Sequence, residues 1–304
     1  MITGKKIVLI LGNGFDMDLG RRTSYKNFIE DRRFWPFGRT KQGLGAWLNI
    51  QAKTEKWYDL EMLLRTYASL NTNDGIIFNE SMDKKQFQLL RQRMADFLKD
   101  IENKEFKHST MATNLLWWLN SLWHITKVYS FNYTDVQKVL KEIGIENEVI
   151  CEYVHGNLLS KTQILGVDDS AQVRNGYEFL YKTFQSSYHS HSLLEDLRTS
   201  DCVIFYGLCF GSIDYPYFRI FFQERCSEEL YSIEQKKKYI YFFTKDENSE
   251  TEIKKNLMKM NDNRLMQFYA FNEVAFFYED EDWQRSPKVD NYFNLKLNYY
   301  LNLV

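Results

Sequence analysis

Four short segments hold the side chains whose types and spacing suit chemistry. Gly12-Asn13-Gly14-Phe15-Asp16 follows the apolar run Ile7–Leu11, and Asn132 lies in Ser130-Phe131-Asn132-Tyr133-Thr134-Asp135. His155 and Gly156 lie in Tyr153-Val154-His155-Gly156-Asn157, and Gly207, Ser212 and Asp214 lie in the stretch after Cys202–Tyr206. Histidine near neutral pH accepts or donates a proton, which makes His155 the most notable titratable residue among them. Gly12 and Gly14 open a G-x-G-x-x-G pattern, but Met17 stands where the third glycine belongs. Glycines there either let backbone N–H groups approach a phosphate or simply make a tight strand-to-helix turn. Asp16 is suited to capping its own helix, and Asp214 to capping the next one. No G-x-x-x-x-G-K-[ST] loop and no G-x-S-x-G elbow is present. His189-Ser190-His191 lacks a second ligand pair and reads as a polar loop, so no metal site is expected.

Strands must present these tips. Ile7–Leu11 is a continuous apolar run ended by glycine, the pattern of a strand buried on both faces. Further strand signals lie at 124–131, 148–154, 162–167, 202–206 and 239–243, with weaker ones at 268–271 and 274–278. A helix is expected to begin near Asp16, and others over 134–143, 175–198, 214–232 and 250–260. Alternating strands and helices predict a Rossmann-like α/β fold, a mostly parallel sheet with helices on both faces. Between residues 40 and 124 apolar residues recur at helical spacing, as in Leu60, Leu63, Leu64 and Tyr67. This predicts a helical insertion after the first strand, within a single domain spanning 1–304. In an open α/β sheet, ligands sit outside the carboxyl ends of the strands, so the four polar tips are expected to line one pocket.

The formal net charge of −2 gives no global pull toward nucleic acid or anionic lipid. Lys236-Lys237-Lys238 and Glu279-Asp280-Glu281-Asp282 are local runs, expected as solvated turns. No apolar run approaches the roughly 18–20 residues of a membrane span, and the N-terminus lacks a signal-peptide pattern. The four cysteines form no C-x-x-C pair, which predicts a reduced, cytoplasmic protein.

"LGNGFDMDLG" followed by "TSYKNF", then "WYDLE", "FNYTD", "YVHGN" and "FYGLCFGSIDYPYF", resembles in order the motifs of the AbiH family, bacterial abortive-infection proteins of phage defence. The same set is distantly similar to sirtuin-type NAD-binding domains. By that resemblance Asn132 and His155 are the catalytic pair, and Gly12, Asn13, Gly14, Phe15, Asp16, Gly156, Gly207, Ser212 and Asp214 contact the cofactor. The first loop departs from the sirtuin pattern at Asn13 and Phe15-Asp16, and Gly207 and Ser212 are further apart than the compact Gly-x-Ser.

The resemblance implies NAD as substrate and cleavage of its nicotinamide–ribose bond through an oxocarbenium-like transition state. Without C-x-x-C pairs the chain cannot build the zinc module of deacylating sirtuins, so plain NAD hydrolysis is the expectation. A non-catalytic sensor of NAD or a related nucleotide, and a nuclease-type toxin, are the alternatives. A homo-oligomer and a phage-derived trigger stay open as partners. Asp59 or Glu61 of "WYDLE" either reaches the site or serves a helix N-terminus.

Overall fold

The computed structural model describes residues 6–54, 59–71, 78–121, 125–146, 149–189, 191–229 and 237–279. Trp57 and Tyr58 of "WYDLE", His124, Glu148, Ser190, Lys236 and the acidic run beyond Glu279 lie outside the described residues. Strand β1 (Ile7–Leu11) leads into α1 (Asn13–Asp18) and α2 (Tyr25–Glu30). Four longer helices follow, α3 (Gly43–Thr54), α4 (Leu60–Ser69), α5 (Glu80–Glu102) and α6 (Met111–Ser121). Then come β2 (Ile125–Ser130), α7 (Val136–Glu142), β3 (Cys151–Tyr153), α8 (Leu193–Thr199) and β4 (Cys202–Tyr206). The described part ends with α9 (Tyr215–Glu224), β5 (Lys238–Thr244), α10 (Glu247–Met260), α11 (Leu265–Phe271) and β6 (Asn272–Tyr278).

The six strands form one sheet in the order β3-β2-β1-β4-β5-β6, every pair parallel. All five side chains of β1 are fully buried, as its unbroken apolar run predicts. They alternate between faces. Ile7, Leu9 and Leu11 join α6 and α7 residues such as Leu116 and Val139, whereas Val8 and Ile10 join α8 and α9 residues such as Leu197 and Phe222. A third cluster gathers α2 to α5 with the irregular stretch 165–180. Short polar residues set several helix starts: the side chains of Ser24, Asp59, Asn79, Asp135 and Asp246 each accept a backbone N–H of the helix that follows.

Four expected elements differ. Residues 162–167 form no strand. Their backbone groups go to loops: the Ile164 N–H donates to the His155 carbonyl and the Val167 N–H to that of Leu180. Gly166 (φ +153°) has no room there for a Cβ. The stretch 175–198 is two 3₁₀ turns, Glu178–Leu180 and Lys182–Phe184, before α8. Gly176, at φ +85°, breaks the helix. The strand signal at 268–271 is the last turn of α11, and β6 begins at Asn272. The helix after β1 begins at once at Asn13, so Asp16 lies inside it and is no cap.

Candidate functional site

Parallel register brings the tips to one level. Leu11 pairs with Ser130 on one side and Tyr206 on the other, and Ser130 pairs with Tyr153. The strand order reverses between β1 and β4, the switch point where doubly wound folds open a crevice. There the two glycine-bearing tips interlock. A Cβ on Gly14 would lie 2.5 Å from the Gly207 Cα, and one on Gly207 (φ +66°) would lie 2.4 Å from the Gly14 Cα. The N–H groups of Gly12, Gly14 and Phe15 donate to the carbonyls of Tyr206 (2.8 Å), Gly207 (2.9 Å) and Gly12 (3.0 Å). These N–H groups therefore serve the chain's own carbonyls. The glycines are needed because two backbones touch.

Beside this joint is a cavity of about 190 Å³. Gly12, Asn13 and Asp16 line it from the first tip, Phe131, Asn132 and Tyr133 from the second, and His155 from the third. Gly207, Leu208, Cys209, Ile213 and Asp214 complete it from the fourth, with Tyr25 and Glu61 reaching in from the helical side. Asn132 is buried, and its Nδ2 donates to the Gly12 carbonyl at 2.9 Å, joining the first two tips. His155 follows β3 in a turn closed by Gly156 (φ +71°), where a Cβ would lie 2.0 Å from the Thr162 carbonyl oxygen. Its ring stands edge-on to Phe131 (5.4 Å) and Tyr217 (5.6 Å), and its Nδ1 has no hydrogen-bond partner.

The electrostatics follow from burial. Burial first, then the Lys182 ammonium and coupling to the nearby His191 ring, hold the His155 imidazole well below its usual pKa, so it is neutral at pH 7. Burial raises Asp16 to about 6, against Arg21 and a bifurcated hydrogen bond from the Thr134 hydroxyl to its two oxygens at 2.8 and 2.9 Å. Burial raises Asp214 to about 7, with Glu61 adding to it and Lys182 opposing. Glu61 is raised too, although Lys182 Nζ donates to its Oε2 at 2.8 Å. On Lys182 burial is the largest single influence and works against the charge, yet Glu61, Tyr217 and Tyr133 together outweigh it and keep the ammonium above its ordinary value.

The sequence-predicted residues thus divide. Gly12, Asn13, Asp16, Asn132, His155, Gly207 and Asp214 share the cavity. Gly14, Phe15, Gly156 and Ser212 are not among its lining residues. Gly14 makes the backbone joint, Phe15 packs in the core against Tyr206, and Ser212 is exposed and bonds Met62 Sδ at 3.3 Å. Asp214 caps no helix with its side chain. In "WYDLE" the two acids split: Asp59 caps α4, and Glu61 lines the cavity. Sequence reasoning misses Tyr25, Tyr133 and Lys182 as site residues. The first two sit inside recognised motifs, whereas nothing around Lys182 marks it. Among the described residues no cluster of three or more His, Cys, Asp or Glu is arranged to hold a metal ion. Among them, too, no helix is long and apolar enough to cross a membrane.

Sheet order and cavity together define a doubly wound α/β protein with an acidic, histidine-bearing pocket at its switch point. The chain belongs to the bacteriophage abortive infection AbiH family, whose model matches residues 8–234. That span contains all four tips. No curated protein matches the chain.

Proposed function

We propose that the cavity binds the nicotinamide–ribose end of NAD and that the protein hydrolyses the bond between the two. Nicotinamide and ADP-ribose are the products, and loss of the cofactor is the growth-halting act within abortive infection. The observation that carries this reading is the meeting of a neutral His155, its Nδ1 without a partner, with Asn132 and three carboxyl groups around one cavity.

The nicotinamide ring of NAD is cationic, and as the C1′–N bond lengthens that charge passes to the ribose ring while nicotinamide leaves neutral. Asp16, Glu61 and Asp214 favour positive charge at both stages when ionised, and favour the ribose cation most if they lie nearest C1′. Water then adds at C1′ and loses a proton. The neutral imidazole of His155 accepts that proton, or one from a ribose hydroxyl. Asn132 gives one Nδ2 hydrogen to Gly12, so its Oδ1 and its second Nδ2 hydrogen are left to orient the carboxamide or the water. The cavity, about 190 Å³, is smaller than the roughly 300–1,000 Å³ of pockets that hold whole drug-sized ligands, so it suits one end of a dinucleotide.

The test is nicotinamide release from NAD by the purified protein, followed by chromatography. Turnover falling by about 100-fold or more in His155→Ala and in Asn132→Ala, with circular dichroism unchanged, supports hydrolysis. NAD binding without turnover favours a nucleotide sensor, and neither binding nor turnover overturns the assignment.

A further inference from the structure

A second, larger space opens beside the cavity, a groove of about 690 Å³. A constriction with no room for water separates the two. Glu61 and Ile213 line both the constriction and the cavity, whereas Arg65, Asp168 and Lys182 line both the constriction and the groove. The wall is thus one ion pair thick, Lys182 Nζ to Glu61 Oε2 at 2.8 Å. Tyr217 continues it. The Tyr217 ring lies 5.6 Å from that of His155 on the cavity side and 5.8 Å from that of His191 on the groove side.

The groove's chemistry is that of a nucleotide site. Tyr188, Tyr215 and Tyr217 line it as surfaces on which a base can stack. Asp168 and Asp169 are acceptors of the kind that bind ribose hydroxyls. Arg65 and Arg219 supply cations for a diphosphate. The Arg65 guanidinium is held in place by Asp168 at 2.7 Å and Ser170 at 2.9 Å, and Arg219 reaches Asp262 only at 3.6 Å. By contrast the first glycine loop offers none of the Gly12, Gly14 or Phe15 N–H groups to a phosphate.

We propose that this groove binds a nucleoside diphosphate as a ligand of its own, since the constriction at Lys182 and Glu61 lies between it and the cavity. The inference does not rest on the NAD reading, and the groove is tested alone. ADP, which has no nicotinamide end, is titrated calorimetrically into the full chain. The parent protein binds ADP. Arg65→Met weakens binding by about tenfold or more, and so do Tyr215→Ala and Arg219→Ala, two changes at the groove's rim. His155→Ala leaves the ADP affinity within about twofold of the parent value. No ADP binding at millimolar concentration overturns the inference. So does binding that ignores Tyr215→Ala and Arg219→Ala, or that is lost in His155→Ala. Nicotinamide release from NAD with any of those results leaves the hydrolase reading standing and the groove assignment refuted. ADP binding as described with no NAD turnover keeps the groove assignment and refutes hydrolysis.

Discussion

Substituting Gly207 by alanine probes the joint on which the site is built. Gly207 holds φ at +66°, and a Cβ there would lie 2.4 Å from the Gly14 Cα and 2.5 Å from the Phe15 nitrogen. The left-handed conformation alone costs an alanine about 1–2 kcal/mol. Relieving the overlap means parting two backbones by roughly 1 Å, since relaxed carbon contacts lie near 3.5–4.0 Å. That strain adds about 1–3 kcal/mol, and the Gly14 N–H bond to the Gly207 carbonyl, 2.9 Å long, contributes about 1 kcal/mol more if it breaks. The loss of about 2–6 kcal/mol is a large part of the roughly 5–15 kcal/mol that holds a domain together. Equilibrium urea denaturation followed by far-ultraviolet circular dichroism measures it. Gly211→Ala is the control: φ is −60° there, and the new Cβ meets only the Cys209 sulfur at 4.0 Å. A Gly207→Ala protein within about 0.5 kcal/mol of the parent refutes the interlocked tips.

Three further outcomes are expected. Asp214 is raised from 3.8 to about 7, so its native form keeps a proton that the unfolded chain releases, and stability falls as pH rises through that window. Asp214→Asn removes the loss: at pH 8 it is the more stable protein, by up to about 4 kcal/mol, and a wild-type pH slope in the variant contradicts this. Lys182→Met strands Glu61 as a buried, unpaired carboxylate and costs about 3–5 kcal/mol in denaturation at pH 8, much of it recovered by adding Glu61→Gln; an additive pair contradicts the coupling. Buried Asp83 accepts from Tyr177 Oη (2.6 Å), Tyr67 Oη (2.8 Å) and the Leu44 N–H (2.7 Å), so Tyr177→Phe lowers stability by about 1–3 kcal/mol, and an unchanged denaturation midpoint contradicts that role.

Much of this architecture is legible in local pattern. The run Ile7–Leu11 announces a strand covered on both faces, and helical spacing announces the α4, α5 and α6 stripes. Polar tips after apolar runs point to one end of the sheet, and register brings Asn132, His155 and Asp214 to a common cavity there. What periodicity cannot carry is a bond between distant residues. Lys182 meets Glu61 across 121 positions and Tyr177 meets Asp83 across 94, and such bonds make an irregular layer of the 162–184 stretch where strand and helix signals are present. The first glycines show the same limit. A turn, a phosphate cradle and a backbone crossing all call for glycine, and only the position of Gly207 against Gly14 tells them apart.

The most direct measurement is a crystal structure with a hydrolysis-resistant NAD analogue. The nicotinamide ring is expected inside the cavity between Asn132 and His155, within about 3 Å hydrogen-bond distance of one of them. A nicotinamide ring bound anywhere else on the molecule contradicts the proposed site.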